Sequence, residues 1–332
     1  MDQTITTSAP AKLILCGEHA VVYGRPAIAL PLPGIRARVT LSDGVPGSGV
    51  VVDARDLGRR WTLAETPDDP LSQLATDLLA RFDLGSAPDL LIMIESDIPI
   101  ASGMGSGAAV ASALVRALAR RSGHEPAPAQ VSDLVYQSER RLHGTPSGID
   151  NTVIAFEQPI WFVRALPSGT QPDANPTTQN STPNTQNLIS PLAIATPLRL
   201  LIGDTGLRSA THEPVGAVRR GWQADPARYE PLFDAVAGIA IQVRALLAAG
   251  DVPALGPLLD ENHTLLQEIG VSSPELDRLV VAARQGGALG AKLSGAGWGG
   301  VMLALVTDAT SAAVAEALRA AGAVRVLETT VG

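Results

Sequence analysis

Two lysines are the first residues in this chain that indicate chemistry. Lys12 and Lys292 are the only lysines among 25 Lys and Arg residues, so arginine fills every other basic position. Both stand in apolar, glycine-bearing segments, where a compact, mobile ammonium does what a planar guanidinium fork cannot. Composition drift is the alternative, since it could leave two lysines anywhere. Each lysine precedes a leucine, which excludes the phosphate-binding P-loop, because that motif needs Lys followed by Ser or Thr.

A glycine-rich turn between a predicted strand and a predicted helix is the strongest local indication of an anion site. The apolar run 90–94 predicts a buried strand, and the loop 99–107 then leads into an alanine-rich helix that ends near residue 121. Free N–H groups at a helix start attract negative charge, and glycines let the backbone approach a phosphate closely. A tight turn with an N-cap is the alternative, and Ser106 could cap the helix, ligate a metal, or both. Three glycines within residues 103–107 exceed what a cap requires, so phosphate binding is favoured.

Two carboxylates lie further along the chain. Glu139 falls at the edge of the apolar stripe of a predicted helix over 129–142, and Asp150 follows in the turn-forming run 143–151. Taken alone, Glu139 is explained by a side chain that reaches solvent, and Asp150 by a cap or an Asx-turn. A cleft shared by both carboxylates is the functional alternative.

Other chemistries find no support in the sequence. The five histidines are scattered without metal-ligand spacing, and neither a G-x-S-x-G elbow nor the H-R-D and D-F-G motifs occur. Residues 295–300 fit the dinucleotide fingerprint G-x-G-x-x-G, but they precede a predicted strand rather than open a helix. A glycine-rich hairpin beside a ligand cleft is the better interpretation. Cys16 lies in an apolar segment and is expected to be a packing residue.

Length and composition set broad limits on the function. A chain of 332 residues predicts two domains, and a net charge of −8 argues against general binding to nucleic acid or anionic membranes. One cysteine fits a reducing compartment, and the N-terminus does not resemble a signal peptide, so a cytoplasmic location is expected. We expect no apolar run to approach a membrane span.

The pattern of elements predicts an α+β chain. Residues 3–53 are expected to form mostly short strands, followed by a helix near 70–82. The segment 167–191 is rich in Thr, Gln, Asn, Ser and Pro, which predicts mobility and a boundary between domains 1–190 and 191–332. After that boundary, strands at 198–203, 288–293, 300–306 and 323–329 and a helix at 309–321 are predicted. With helices near 211–223, 229–249, 253–269 and 274–286, they form a β-α-β-β-α-β ferredoxin-like pattern with extra helices.

Four separated segments together resemble one family, the GHMP small-molecule kinases, and within it most resemble the mevalonate kinases. The segments are 9–24, 99–109, 139–151 and 291–300, in the family's order along nearly the whole chain. The second resembles P-x-x-x-G-L-G-S-S-A-A and the fourth A-K-L-T-G-A-G-x-G-G. The third, His-Gly-x-Pro-Ser-Gly-x-Asp-Asn, is the most specific.

The resemblance implies a two-domain GHMP kinase-like fold and transfer of the ATP γ-phosphoryl group to the 5-hydroxyl of mevalonate, with Mg²⁺. Asp150 matches the catalytic base, Lys12 the lysine near that hydroxyl, and Glu139 and Ser106 the Mg²⁺ ligands. Four further residues match positions around substrate or phosphates: Glu18, His19, Ser147 and Thr211. The nucleotide loop corresponds to Pro99, Ala101, Ser102, Gly103, Met104, Gly105, Ser106, Gly107 and Ala108.

Departures from the family pattern and alternative functions remain open at this point. Gly107 occupies the place of a second serine, which removes one hydroxyl contact to the metal, so that Ser106 or water would substitute. The alternatives are a kinase for phosphomevalonate, homoserine or a sugar, and the ATP-dependent mevalonate diphosphate decarboxylase. The pairing of Lys12 with Glu139 favours a kinase, and a homodimer is the family expectation.

Overall fold

The computed structural model describes residues 4–85, 88–143, 147–165, 187–208 and 212–332. The described strands are β1 (Ile5–Cys16), β2 (Pro26–Asp43), β3 (Val50–Ala54), β4 (Arg59–Thr62), β5 (Leu90–Ser96), β6 (Ile160–Val163), β7 (Leu188–Pro191), β8 (Leu198–Asp204), β9 (Gly290–Ser294), β10 (Val301–Val306) and β11 (Arg325–Val331). The described α-helices are α1 (Pro70–Arg81), α2 (Ser106–Arg121), α3 (Pro128–His143), α4 (Ile149–Phe156), α5 (His212–Ala224), α6 (Pro226–Ala249), α7 (Val252–Ile269), α8 (Pro274–Gln285) and α9 (Ser311–Ala320). Thr211 and most of the segment 167–191 lie outside these ranges.

The chain divides into two compact units, each built from separated stretches of sequence. The first unit comprises Met1–Lys12, Pro31–Ile100 and Gly105–Glu157, and the second comprises Leu13–Leu30, Ala101–Met104 and Gln158–Gly332. The chain therefore passes from one unit to the other at Lys12 and again at the glycine-rich turn.

The described part of the first unit combines a mixed sheet with the α-helices α1 to α4. Its strand order is β4-β3-β5-β2, with β3 parallel to β5 and the other two pairs antiparallel. In β2, Ile35, Val39 and Leu41 are buried while Arg38 is exposed. This period-two alternation is the pattern of a strand with one face in the core. Helices α1 to α4 pack against one another within the unit.

The second unit contains the predicted ferredoxin-like arrangement. Four antiparallel strands stand in the order β11-β8-β10-β9, and their connections give β-α-β-β-α-β with the extra helices between β8 and β9. The α+β prediction with this pattern is confirmed. The first residues of β2 also belong to this unit, where they pair with β6, which pairs with β7.

The prediction of short strands before residue 53 is wrong for the first two strands. β1 has 12 residues and β2 has 18, although β2 contains Pro31, Pro33 and Gly34. Residues 26–29 of β2 pair with β6 and residues 37–43 pair with β5. Pro31 and Pro33 fall between these two registers, so their missing N–H groups remove no hydrogen bond to β5 or β6.

One helix contradicts the expectation about apolar runs. Among the described residues, α6 is long and apolar enough to cross a membrane by length and composition, and 33% of its most apolar window is buried. The expectation was wrong because this helix is rich in alanine and branched aliphatic residues along most of its length. Its buried residues include Tyr229, Phe233 and Val236, which belong to the hydrophobic core of the second unit.

Two helical glycines allow a matched test of the packing between α7 and β9. A Cβ added at Gly256 would lie 2.0 Å from the carbonyl oxygen of Leu289, whereas one added at Gly238 in α6 meets nothing within 4 Å. We expect Gly256→Ala to lower the free energy of unfolding by about 1–3 kcal/mol through overpacking. Gly238→Ala should raise it by up to about 1 kcal/mol, since alanine favours helix. Urea unfolding measures both, and equal effects would contradict this packing.

Candidate active site

An ion pair between Lys12 and Asp150 is the centre of the candidate site in the first unit. The Nζ atom of Lys12 lies 2.8 Å from Oδ1 of Asp150. The lysine side chain is 4% exposed and the aspartate side chain 39% exposed, so the ammonium is shielded while the carboxylate remains open. The pair therefore presents a carboxylate able to accept a proton beside a cation able to stabilise a developing oxyanion.

Asp150 reaches this position because α4 begins one residue before it. Gly148 takes the N-cap position in the left-handed conformation (φ 86°), and Asp150 stands in the first turn. The sequence-based interpretations of Asp150 as a cap or an Asx-turn are therefore wrong. They failed because the turn-forming residues end at Gly148 and α4 begins at the next residue, Ile149.

Asn151 fixes α4 against α3, a role that the sequence analysis did not assign. Its buried side-chain amide donates hydrogen bonds to the carbonyl oxygen of Ser132 (3.1 Å) and to its Oγ atom (2.9 Å). The hydroxyl of Thr152 donates to the carbonyl oxygen of Gly148 at 2.7 Å. Local sequence gave no indication of this contact, because it joins residues of two helices that lie 19 positions apart in the chain.

Glu139 lies in α3 beside the start of α2. A Cβ added at Gly107 would stand 3.7 Å from Oε1 of Glu139, which places this carboxylate against the first turn of α2. Burial, together with the negative charge of Asp150, raises the pKa of Glu139 to about 7, and the ammonium of Lys12 opposes the rise. Glu139, Asp150 and Lys12 therefore interact electrostatically within one unit. A half-buried carboxylate with so high a pKa favours binding of a cation.

The turn before α2 has the backbone of an anion site. Ala101, Gly103 and Gly105 have φ angles of 53°, 82° and 75° at alternate positions. Left-handed residues interleaved with ordinary ones turn successive N–H groups toward one side, which forms an anion-binding concavity. The free N–H groups of the α2 N-terminus follow directly.

Ser106 is the first residue of α2 rather than its cap. Gly105 holds the N-cap position, and no side chain caps this helix. The suggestion that Ser106 caps α2 is wrong, because a left-handed N-cap excludes the extended conformation in which a serine would cap. Its hydroxyl is thus not committed to the helix end.

Gly105 also makes room for Lys12. A Cβ at Gly105 would lie 2.8 Å from Cδ1 of Ile154 and 3.0 Å from Cγ of Lys12. The missing side chain lets the lysine lie directly against the backbone of the turn. Glycine is therefore required here both by space and by the positive φ angle.

The second unit holds the remaining candidate segments. Glu18 is 1% exposed and its carboxylate forms a buried ion pair with Lys292. The Nε2 atom of His19 lies 2.9 Å from the carbonyl oxygen of Ala296. Within this unit a Cβ at Gly300 would stand 2.7 Å from the carbonyl oxygen of Ser102, so the loop 295–300 lies against residues 102–103. The predicted hairpin between β9 and β10 is confirmed.

The other predicted residues are placed as follows. Ser147 accepts a hydrogen bond from the N–H group of Ile149 at 3.3 Å, and Thr211 lies outside the described residues. In the nucleotide loop, Pro99, Ser102, Met104 and Ala108 are buried, whereas Ala101 and Gly107 are exposed. Cys16 is buried, as predicted, and burial and the charge of Glu18 raise the pKa of its thiol far above its usual range.

The pKa of Glu139 gives a pH-dependent stability that can be measured without ligands. A carboxyl whose pKa rises from 4.5 to about 7 on folding destabilises the folded state above pH 4.5, with the full effect above pH 7. We expect the unfolding free energy of Glu139→Gln, relative to the unchanged protein, to increase by about 2–3 kcal/mol between pH 4.5 and 7.5. Urea unfolding in EDTA measures the difference. A pH-independent difference would show that Glu139 is solvated.

Comparison with known proteins finds mevalonate kinases among the similar sequences and structures. The chain is 31% identical over 344 residues to a mevalonate kinase of Thermococcus sibiricus, with 96% of this chain and 93% of the relative covered. It is 31% identical over 350 residues to a mevalonate kinase of Pyrococcus horikoshii, covering 98% and 95% of the two chains. A crystal structure of L. major mevalonate kinase in complex with R-mevalonate matches with a TM-score of 0.81, 29% identity and coverage of 99% and 96%.

Family models match both parts of the chain. The GHMP kinases N terminal domain matches residues 71–158, which contain the glycine-rich turn, Glu139 and Asp150. The model described as GHMP kinases C terminal matches residues 243–324, which contain Lys292 and the loop 295–300. With these matches and the nearly full-length relatives, the chain belongs to the GHMP kinase family.

Proposed function

We propose that this protein is a mevalonate kinase, which transfers the γ-phosphoryl group of ATP to the 5-hydroxyl of mevalonate and gives 5-phosphomevalonate. The observation that carries the proposal is the Lys12–Asp150 ion pair, 2.8 Å long, in a chain 31% identical over nearly its whole length to mevalonate kinases. Mevalonate is also the ligand named for the similar L. major structure.

Asp150 and Lys12 have the chemistry that an alcohol nucleophile needs. Phosphoryl transfer depends on positioning and charge stabilisation more than on covalent catalysis by the protein. Asp150 would accept or orient the proton of the acceptor hydroxyl, and its exposed carboxylate is open to such a partner. Lys12 would stabilise the negative charge on the attacking oxygen and on the transferring group.

The turn 99–108 would hold the phosphates of ATP. Its support is the alternation of positive φ angles at Ala101, Gly103 and Gly105, followed by the α2 N-terminus. This backbone site explains how a chain with a net charge of −8 can bind a polyanion. A few local N–H groups and Lys12 suffice, and no general basic surface is required.

Glu139 and Ser106 are the residues that would hold Mg²⁺. The described residues contain no group of three or more His, Cys, Asp or Glu suited to a metal. Mg²⁺ commonly takes only one or two protein oxygens together with substrate phosphates and water. Glu139 fits this pattern, because its half-buried carboxylate, with its raised pKa, stands against the first turn of α2. Bound there, Mg²⁺ would neutralise charge on the phosphate oxygens.

We propose His19, Ser147 and Thr211 as substrate-binding residues, because their sequence positions match those of the family pattern. Glu18 would contribute indirectly, through its ion pair with Lys292, because its carboxylate is almost fully buried and so is not exposed to a ligand. We further propose that the enzyme acts in the cytoplasm, where a single buried cysteine needs no disulfide partner.

The test of this proposal is a coupled ADP-release assay with mevalonate, phosphomevalonate, homoserine and galactose as acceptors. We expect turnover with mevalonate, and product analysis should place the phosphate on the 5-hydroxyl. Release of CO₂ from mevalonate diphosphate would indicate the decarboxylase instead. Turnover with another acceptor alone would exclude mevalonate kinase and keep the wider family assignment.

Removing either member of the ion pair should affect the chemical step most. We expect Asp150→Asn and Lys12→Met each to lower kcat by about 10²–10⁴-fold, the range typical for loss of a proton acceptor or of charge stabilisation. ATP affinity, measured by calorimetry, should change much less. Either variant with near-normal kcat would mean that the role assigned to that residue is wrong.

The two glycines that flank Ser106 give a matched pair. Gly105→Ala should lower kcat strongly, because its Cβ would displace Lys12 and its φ angle of 75° disfavours any side chain. Gly107→Ser should be tolerated, since its Cβ would stand 3.7 Å from Glu139 in ordinary contact. The added hydroxyl should lower the Mg²⁺ concentration for half-maximal rate. A similar loss of kcat in both variants would contradict the geometry of this turn.

A further inference from the structure

The second lysine of the chain forms an ion pair that the proposed chemistry does not use. Lys292 is completely buried in β9, and its ammonium donates hydrogen bonds to the carboxylate of Glu18 and to the carbonyl oxygen of Leu293, the latter at 2.6 Å. Buried lysines are rare unless they are paired. An apolar pair of similar volume is commonly as stable as a buried ion pair, so stability alone is a weak reason for this arrangement.

The residue after Glu18 has an unusual backbone. His19 has φ 59° and ψ −51°, and the N–H group of Ala20 donates to the carbonyl oxygen of Glu18 at 2.6 Å. These angles and this hydrogen bond define a γ-turn of the rare, strained type with positive φ. Such strain persists only where the surroundings hold the backbone in place, and it concentrates at functional sites.

Side-chain contacts from one segment of the second unit help to hold this turn. Lys292 binds the side chain of Glu18 on one side, and the carbonyl oxygen of Ala296 accepts a hydrogen bond from Nε2 of His19 on the other. The segment itself is anchored, since Oγ of Ser294 bonds to both backbone groups of Ile14, at 3.2 and 2.9 Å. Its backbone N–H at Leu293 also donates to Nδ1 of His263 at 3.3 Å.

The contact with Ala296 fixes the chemical form of His19. A carbonyl oxygen can only accept, so Nε2 carries the proton and Nδ1 keeps its lone pair as an acceptor. Burial lowers the pKa of His19 to about 4, against a smaller opposing effect of the Ala296 carbonyl, and the ring is neutral at physiological pH. A neutral imidazole with a free acceptor nitrogen can receive a hydrogen bond from a hydroxyl group.

We propose that Lys292 is a positioning residue, which through Glu18 holds His19 in its strained turn as the Nε2–H tautomer, ready to bind a hydroxyl of the acceptor. The part that concerns the acceptor rests on the proposed function, and the part that concerns the turn does not. The role of the ion pair is to orient Glu18, because a fixed ammonium partner defines the direction of its side chain more strictly than an apolar contact would.

Nitrogen NMR of the histidine side chains tests the geometric part without any substrate. The chain has five histidines, so their ¹⁵N signals can be assigned by single substitutions. At pH 6 the unchanged protein should show a neutral His19 ring with the proton on Nε2. In Lys292→Met we expect the ¹⁵N chemical shifts of the His19 ring to move to those of a solvent-accessible histidine, which is mostly protonated at this pH.

A double variant keeps the test decisive if Lys292→Met folds poorly. Glu18→Met with Lys292→Met replaces both charged side chains by apolar ones of similar volume, and such replacements of buried pairs are commonly tolerated. We expect it to fold and still to lose the His19 signature. Val243→Ala, a core truncation in α6, is the control, which should lower thermal stability and leave His19 unchanged. An unaltered His19 signal in the folded double variant would overturn the proposal.

Kinetics test the part that concerns the acceptor. In the double variant we expect kcat/KM for mevalonate to fall by about 10²-fold, a size typical of a misplaced binding group, while KM for ATP changes little. Equal losses for both substrates would contradict a role at the acceptor. If no acceptor were phosphorylated by the unchanged protein, the proposed function would fail, whereas the NMR result would still decide whether Lys292 positions His19.

Discussion

The ion pair between Lys12 and Asp150 sets the main constraint on the first unit. It joins the last residue of one chain stretch of that unit to the first turn of α4, at 2.8 Å between Nζ and Oδ1. Such a short separation requires that α4 be held firmly, and the amide of Asn151 provides this by bonding to Ser132 in α3. It also requires that no side chain occupy position 105, where Gly105 lies against Lys12.

The same pair modifies the pKa of Glu139, which burial raises most. Asp150 raises the pKa of this carboxyl while Lys12 lowers it, and burial is the largest effect. The net result is a carboxyl whose pKa is raised to about 7. A site of this kind is well suited to a cation that arrives with its own phosphate ligands, because binding relieves both the desolvation and the repulsion.

The other lysine, Lys292, has different surroundings in the second unit. There the ammonium of Lys292 is buried with Glu18, and the strained turn at His19 lies next to that pair. One lysine thus stands beside an open carboxylate and the other is sealed inside the unit. Both lysines are buried within strands, so the difference lies in their partners: the side chain of Asp150 is 39% exposed, whereas that of Glu18 is 1% exposed.

The sequence by itself determined the residue types at the site, the strand–turn–helix around Gly103 and Gly105, and the ferredoxin-like order of the last four strands. These follow from local patterns, namely apolar periodicity and glycines at positions that need positive φ angles. It did not determine that β2 continues through Pro31 and Pro33, that α4 begins at Ile149, or that Gly105 rather than Ser106 takes the cap position. Nor could it show that Lys292 meets Glu18, which is 274 positions away in the chain. Only the tertiary structure decided these points, because each depends on packing partners that local sequence does not specify.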